Sequence, residues 1–282
     1  MKVRRPCQAG AFYAGSPSAL HAEIEECFLH RLGPGELPKL QETGSRKILA
    51  LISPHAGYMY SGPVAAHSYY ALASDGKPAV VVILGPNHTS LGSGVSIMVD
   101  GSWKTPLGNV EVDKEIAEKI LHSSKLIDVD DVAHAHEHSI EVQLPFLQYL
   151  YGSAFRFVPI CMMLQDLETS REIGAALANA VSDIDVVIIA STDFSHYEPQ
   201  PVADKKDHLA LDAILKLDEV QLQSVVESYN ISMCGYGPAT AVITAAKQLG
   251  ASSANLLCYR TSGDVTGDRS AVVGYAAVTI IK

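Results

Sequence analysis

The chain has 282 residues, 48% hydrophobic and 18% charged, with 21 Gly, 14 Pro and a formal net charge of −10 at pH 7. That composition excludes a disordered, collagenous or coiled-coil chain, and an acidic chain with no Lys/Arg cluster lacks the surface of a sequence-independent nucleic-acid binder. No uninterrupted apolar stretch approaches the roughly 18 residues of a spanning helix, so a soluble protein with no membrane partner is expected.

Arg4 and Arg5 precede a segment, 6–16, without the apolar region of a secretory or twin-Arg signal, and the five cysteines include no C-x-x-C pair. Both features point to reduced thiols in a cytoplasm. A helix is predicted over 18–32, followed by a polar loop over 32–45 carrying Gly33, Pro34, Gly35, Pro38 and Gly44. From Lys47 onward, apolar runs at 48–52, 80–84, 155–160, 186–190, 255–259 and 271–281 read continuously rather than alternating, as strands buried on both faces do.

Helical stripes lie between these runs. Ile173, Ala176, Leu177, Ala180 and Val181 form one; Leu222, Val225, Val226 and Tyr229 form a second behind Asp218 as N-cap with Gln221 three residues on. Val242, Ala245, Ala246 and Leu249 form a third, opened near Pro238 and closed by Gly250. A further helix is expected from His138 through Ile140, Leu144 and Leu147, ended or kinked by Pro145. Strands alternating with helices give an α/β layered domain around a largely parallel sheet, read as a single domain over 1–282.

Three of the strand runs end in chemistry. Residues 48–52 run into Ser53-Pro54-His55-Ala56-Gly57-Tyr58, 80–84 into Gly85-Pro86-Asn87-His88, and 186–190 into Ser191-Thr192-Asp193-Phe194-Ser195-His196. Ligands of open α/β sheets bind beyond the carboxyl ends of the strands, so each histidine is delivered to that crevice. His55 and His88, each behind a Pro-containing turn, are candidate ligands of a divalent metal, and they become neighbours if their strands are adjacent. Asp193 lies three residues before His196, where a carboxylate would set the imidazole's tautomer for acid/base work.

Cys234 precedes a helix in Cys234-Gly235-Tyr236-Gly237-Pro238, where backbone N–H groups stabilise a thiolate, so it is a candidate ligand or nucleophile. In the tract His134-Ala135-His136-Glu137-His138, His134 and His136 are read as surface, whereas His138 and Glu141, at i and i+3, are read as facing a cleft. P-loop, G-x-G-x-x-G, G-x-S-x-G and H-E-x-x-H patterns are absent, which removes the main nucleotide and serine-hydrolase readings.

Taken in order, Gly10 with Phe12-Tyr13, Pro54 to Tyr58, Gly85 to His88, Glu137-His138-Ser139-Ile140-Glu141 with Leu144-Pro145, Asp193 to His196, Cys234-Gly235 with Pro238, and Gly274-Tyr275-Ala276-Ala277 resemble the Memo family over nearly the whole chain. That family is similar in fold to class III extradiol, ring-cleaving dioxygenases, whose Fe(II) is held by two His and one Glu with a further His as acid/base. The resemblance implies His55 and His88 as metal ligands and His196 as acid/base, with Cys234 where those enzymes carry the carboxylate. It implies Fe(II) first, and a thiolate there favours Zn, Cu or a differently tuned iron. It also implies an AMMECR-type protein and a radical SAM protein as partners.

The leading expectation is therefore a metal-binding cleft of redox or oxygenase ancestry, with His55, His88 and Cys234 as ligands and Asp193, His196, His138 and Glu141 around them, taking a small molecule or peptide. The alternatives are a metal-free thiol hydrolase or transferase, with Cys234 as nucleophile, His196 as base and Asp193 as its orienter, and a non-catalytic pocket for a peptide or partner.

Overall fold

A computed structural model describes residues 2–41 and 43–282. Its strands and helices follow one another as β1 (Val3–Arg4), α1 (Pro17–Leu29), β2 (Ile48–Ser53), α2 (Tyr58–Asp75), β3 (Val80–Pro86), β4 (Val95–Ile97), β5 (Ser102–Thr105), β6 (Gly108–Val112), α3 (Lys114–Ser123), β7 (Asp128–Val129) and α4 (Val132–Ala135). The second half holds α5 (Leu144–Tyr151), β8 (Arg156–Met162), α6 (Leu167–Val181), β9 (Val186–Ser191), β10 (His196–Glu198), α7 (Gln200–Leu215), α8 (Glu219–Ser228), α9 (Tyr236–Gln248), β11 (Ser253–Thr261), α10 (Ser262–Thr266) and β12 (Val272–Ile281).

The strands form one sheet in the order β1-β5-β6-β8-β3-β9-β2-β12-β10, with β11 also paired to β12, β4 also paired to β8, and β7 paired to β4. Its centre, β8-β3-β9-β2, is parallel throughout, and β12 joins antiparallel to β2. This is the α/β architecture that the continuous apolar runs predict, but the sheet is mixed rather than largely parallel, because the hairpin β5-β6 and the β11-β12 pair add antiparallel neighbours around the parallel centre. Every residue of β2, β3 and β9 is buried, because α2 and α9 bring apolar faces against strands that present no polar side to water.

Helix boundaries follow local chemistry. The Asp218 side chain accepts the Gln221 backbone N–H and opens α8, and the Asp166 side chain does the same for Thr169 in α6. Two further expectations are corrected. Pro145 does not end a helix begun at His138 but stands in the first turn of α5, after a 3₁₀ turn over Glu141–Gln143; a proline there sacrifices an N–H that has no intrahelical acceptor in any case. His138 therefore lies in a turn before the helix. The strands carrying His55 and His88 are also not adjacent, since β9 lies between β2 and β3.

Candidate metal centre

The loops after β2, β3 and β9 converge at the carboxyl edge of the parallel strands, with the 136–140 turn across them. One ring nitrogen each of His55, His88 and His138 lies within 4.8 Å of the others. The ring centroids are 5.3 Å apart for His55 and His88, 5.4 Å for His55 and His138, and 4.6 Å for His88 and His138. Insertion of β9 between the two strands thus leaves the histidines in contact, because both loops lean over its end.

The hydrogen bonds behind the rings fix which nitrogen faces forward. Ser191 Oγ donates its single proton to the Ser139 carbonyl at 2.6 Å and accepts from Gln143 Nε2 at 2.7 Å. Its 2.9 Å contact with His55 Nδ1 must therefore be a donation from that nitrogen, which leaves His55 Nε2 as a bare lone pair. Glu137 does the same for the second ring: its Oε1 accepts from His88 Nδ1 at 2.9 Å and its Oε2 from the His88 backbone N–H. The same Oε1 accepts the N–H groups of His138 and Ser139 at 2.8 Å each and lies 3.4 Å from His138 Nδ1. A carboxylate behind an imidazole holds its tautomer and raises its basicity, as metal-binding histidines require.

Electrostatics agree with neutral donors. Burial first, then the neighbouring His138 and His88, hold the His55 pKa well below its ordinary value. Burial pushes His138 down to about 4 despite the Glu137 carboxylate beside it. Burial alone would raise Glu137, but the His88 hydrogen bond and charge, the His138 charge and the Ser139 N–H hold it down to about 2. The Glu137 carboxylate is thus ionised, and the His55 and His138 imidazoles are uncharged, near neutral pH.

Cys234, expected as the third ligand, is not among the donors that all lie within 4.8 Å of one another; His138, expected as an acid/base residue, takes that place because the 136–140 turn crosses over the strand ends. The thiol sits at the edge of the group, its Sγ 3.3 Å from His55 Nε2 and receiving the Asp193 backbone N–H at 3.2 Å. The helix N-terminus does not create a thiolate here: burial and then Asp193 push the thiol pKa up. Gly235 allows the close approach that places it, since a Cβ there would lie 2.6 Å from the Ser191 carbonyl oxygen.

Asp193 is buried, and its Oδ1 accepts the His55 backbone N–H at 2.8 Å. Burial raises its pKa. Asp193 does not set the tautomer of His196, contrary to expectation. The Ser232 carbonyl does so, 2.8 Å from His196 Nδ1, and because a carbonyl only accepts, His196 Nε2 is left bare. Cys234 thus contacts His55 rather than His196, and the Cys–His–Asp relay of the hydrolase reading is not assembled.

Glu141 is the clearest departure. Its carboxylate lies away from the metal-site imidazoles, fully buried, paired with Arg4 and accepting the N–H groups of Cys7 at 2.8 Å and Gln8 at 2.9 Å and the Tyr13 hydroxyl at 2.5 Å. Burial opposes its ionisation, but Arg4 and these donors outweigh that and keep its pKa low. It clamps the N-terminal segment, whose Phe12 packs edge-on against His138 at 5.0 Å and whose Phe12 carbonyl accepts the Tyr58 N–H. His134, read as surface, is fully buried against Trp103, whereas His136 is exposed as expected.

The pocket above the three histidines has a volume of about 760 Å³ and is bounded by Phe12, Tyr60, His196, Tyr197 and Tyr275 among others, within the range of small-molecule sites. Glu137, Ser191 and Ser232 went unread in the sequence. Glu137 alone left a trace, as the one acid inside a histidine tract at the end of the loop to His138.

An α/β sheet with three histidines gathered at its carboxyl edge and a thiol beside them defines an α/β protein with a candidate metal site in a cleft. The chain belongs to the Memo family: the family model described as Memo-like protein matches residues 4–279. MEMO1 family proteins are 54% identical over 277 residues in Methanopyrus kandleri, covering 98% of each chain, and 50% identical over 287 residues in Methanocaldococcus jannaschii, covering 99% of each. A further one, from Sulfolobus acidocaldarius, is 49% identical over 280 residues and 98% of each chain. A solved structure of an uncharacterized protein from Escherichia coli K12 is similar in fold, with a TM-score of 0.54 and 13% identity over 83% of this chain and 100% of that one.

Proposed function

We propose that this cleft binds a divalent first-row transition ion through His55, His88 and His138, with Cys234 placed to join them, and uses it on a small molecule held in the pocket. The observation that carries the reading is that three imidazoles from separate loops turn one nitrogen each toward a common region while the Nδ1 atoms of His55 and His88 are tied down behind. The donor chemistry fits: imidazoles with a thiol suit Fe(II), Zn(II) or copper and reject Mg²⁺ and Ca²⁺, which take oxygen ligands. Cys234 Sγ lies 3.3 Å from His55 Nε2, near enough for a side-chain rotation to bring it to the three histidine donors, from whose group it stands apart in this structure.

When bound, such an ion supplies Lewis acidity and, as iron or copper, electron transfer. The chain's own residues supply the rest. Glu137 and Ser191 orient the donors, the aromatic walls exclude water, and His196 Nε2 stands bare at the pocket to take a proton. A redox or oxygenase reaction is the activity this favours, supported by the resemblance to ring-cleaving dioxygenases, though with a thiol in place of their carboxylate. The Cys–His hydrolase is disfavoured because Cys234 and His196 do not meet.

The test is metal content after purification without added metal, followed by Co(II) titration of the parent and of His55→Ala, His88→Ala, His138→Ala and Cys234→Ala. One ion per chain, lost in each histidine variant, is expected, with a near-ultraviolet thiolate-to-cobalt band that disappears in Cys234→Ala. Parent protein that binds no ion, or histidine variants that bind it unchanged, would defeat the proposal.

A further inference from the structure

The strand that carries His196 breaks the alternation of a regular strand. β10 pairs with β12 through His196 opposite Val273 and Glu198 opposite Val272, with the register shifting between them. Tyr197 is the extra residue of this bulge, with φ of +59°. In an unbroken strand, His196 and Tyr197 would point to opposite faces. The bulge instead sends both into one pocket, their ring centroids 6.0 Å apart and inclined at 64°.

Glycine adopts this left-handed backbone freely and tyrosine does not. Tyr197 as a residue is 78% exposed, so packing in the fold does little to offset the strain. A strained residue beside a site, whose side chain the fold does not use, points to a ligand. The ring stands at the mouth of a pocket whose other walls include Phe12, Tyr60 and Tyr275; Asp268 lies among its lining residues, and no Lys or Arg among the described residues lines it. An anionic group there would meet no side-chain cation, whereas a flat uncharged one would find aromatic faces.

We infer that Tyr197 is a specificity-determining residue that lays its ring on a flat, uncharged, unsaturated portion of the ligand, whose polar end reaches the three histidines. The inference rests on the metal-site reading above and adds the class of molecule the site selects. The bulge sets proton acceptor and selector side by side: His196 faces the reacting end and Tyr197 the body behind it.

Benzohydroxamate and acetohydroxamate carry the same metal-binding group on a flat ring and on a methyl, so the ratio of their affinities for Co(II)-loaded protein isolates the contact with the body. The parent is expected to prefer benzohydroxamate. Tyr197→Ala should reduce that preference about three- to tenfold, as loss of one aromatic pair does, with acetohydroxamate affinity unchanged and Tyr197→Phe retaining the preference. Tyr197→Gly, which removes the ring and the backbone strain together, should lose the preference with a thermal midpoint no lower than the parent's, separating a lost contact from a damaged fold. An unchanged preference in the Ala and Gly variants, with both hydroxamates bound, overturns this inference alone. Parent protein that fails to take up Co(II) overturns the metal reading and this inference with it.

Discussion

Exchanging Glu137 for glutamine keeps the volume of a buried side chain and replaces one carboxylate oxygen by an NH₂. Oε1 receives His88 Nδ1–H and the N–H groups of His138 and Ser139, and Oε2 receives the His88 N–H. Whichever way the amide is placed, its NH₂ confronts a donor, and the remaining bonds lose their charge. Hydrogen bonds to a charged acceptor contribute about 1.5–3 kcal/mol each, so a loss of about 3 kcal/mol is expected in urea unfolding of the metal-free protein. Because the same carboxylate orients His88 and lies behind His138, Zn(II) affinity, read by competition with a chromophoric chelator, should fall about 10- to 100-fold. A variant that is less stable but binds Zn(II) like the parent would show that Glu137 holds the loop and not the donors. Parent values for both would mean that the carboxylate does not make these bonds at all.

Arg4→Met leaves Glu141 buried without its cation and should lower stability by about 3–5 kcal/mol in urea unfolding, with most of the loss regained when Glu141→Leu is added. Gly85→Ala would set a Cβ 2.3 Å from Ser139 Oγ and 3.0 Å from the Ile140 side chain; about 1–3 kcal/mol of overpacking and weakened Zn(II) binding through the displaced 138–139 turn are expected. His134 has no partner at either nitrogen among the described residues, and burial, then Arg4, hold its pKa down to about 4 from 6.5. Its unfolded form takes up a proton first on acidification, so the stability it supports is complete above about pH 6.5 and falls by about 3 kcal/mol toward pH 4; the same pH–stability curve in parent and His134→Phe would contradict this. Cys234 in metal-free protein should react with iodoacetamide far more slowly at pH 8 than an unstructured cysteine peptide, because its thiol is held protonated, and fast labelling would revive the nucleophile reading.

The central strands could be read because β2, β3 and β9 are apolar at almost every position, a pattern set by burial on both faces. The strand-end histidines could be read because parallel sheets gather their loops at one edge, so topology alone places His55, His88 and His196 on the same side. The supports behind them were not legible. Glu141 looked like a cleft residue from its spacing to His138, but its partner Arg4 lies 137 residues away and no local pattern records that pairing. Pro145 misled for a related reason: a proline reads equally as the end of one helix or the first turn of the next, and only the turn that frees His138 decides. His134 and His136 have the same sequence surroundings, and Trp103, on another strand, accounts for the burial of His134.

The clamp between Arg4 and Glu141 also has a consequence for how the chain is made. Phe12 forms a wall of the pocket only when its segment is held through Arg4 by Glu141, 137 positions after that arginine. At a synthesis rate of about 5–20 residues per second, roughly 7 to 27 s separate the emergence of the two halves. For most of that interval the strand over Ser102–Thr105, on which Val3 and Arg4 pair, has yet to emerge, and throughout it Arg4 lacks the Glu141 carboxylate. The Phe12 wall of the pocket is therefore set only after half of the 282 residues have been made, and a bulky fusion placed ahead of Lys2 would interfere with the docking that sets it.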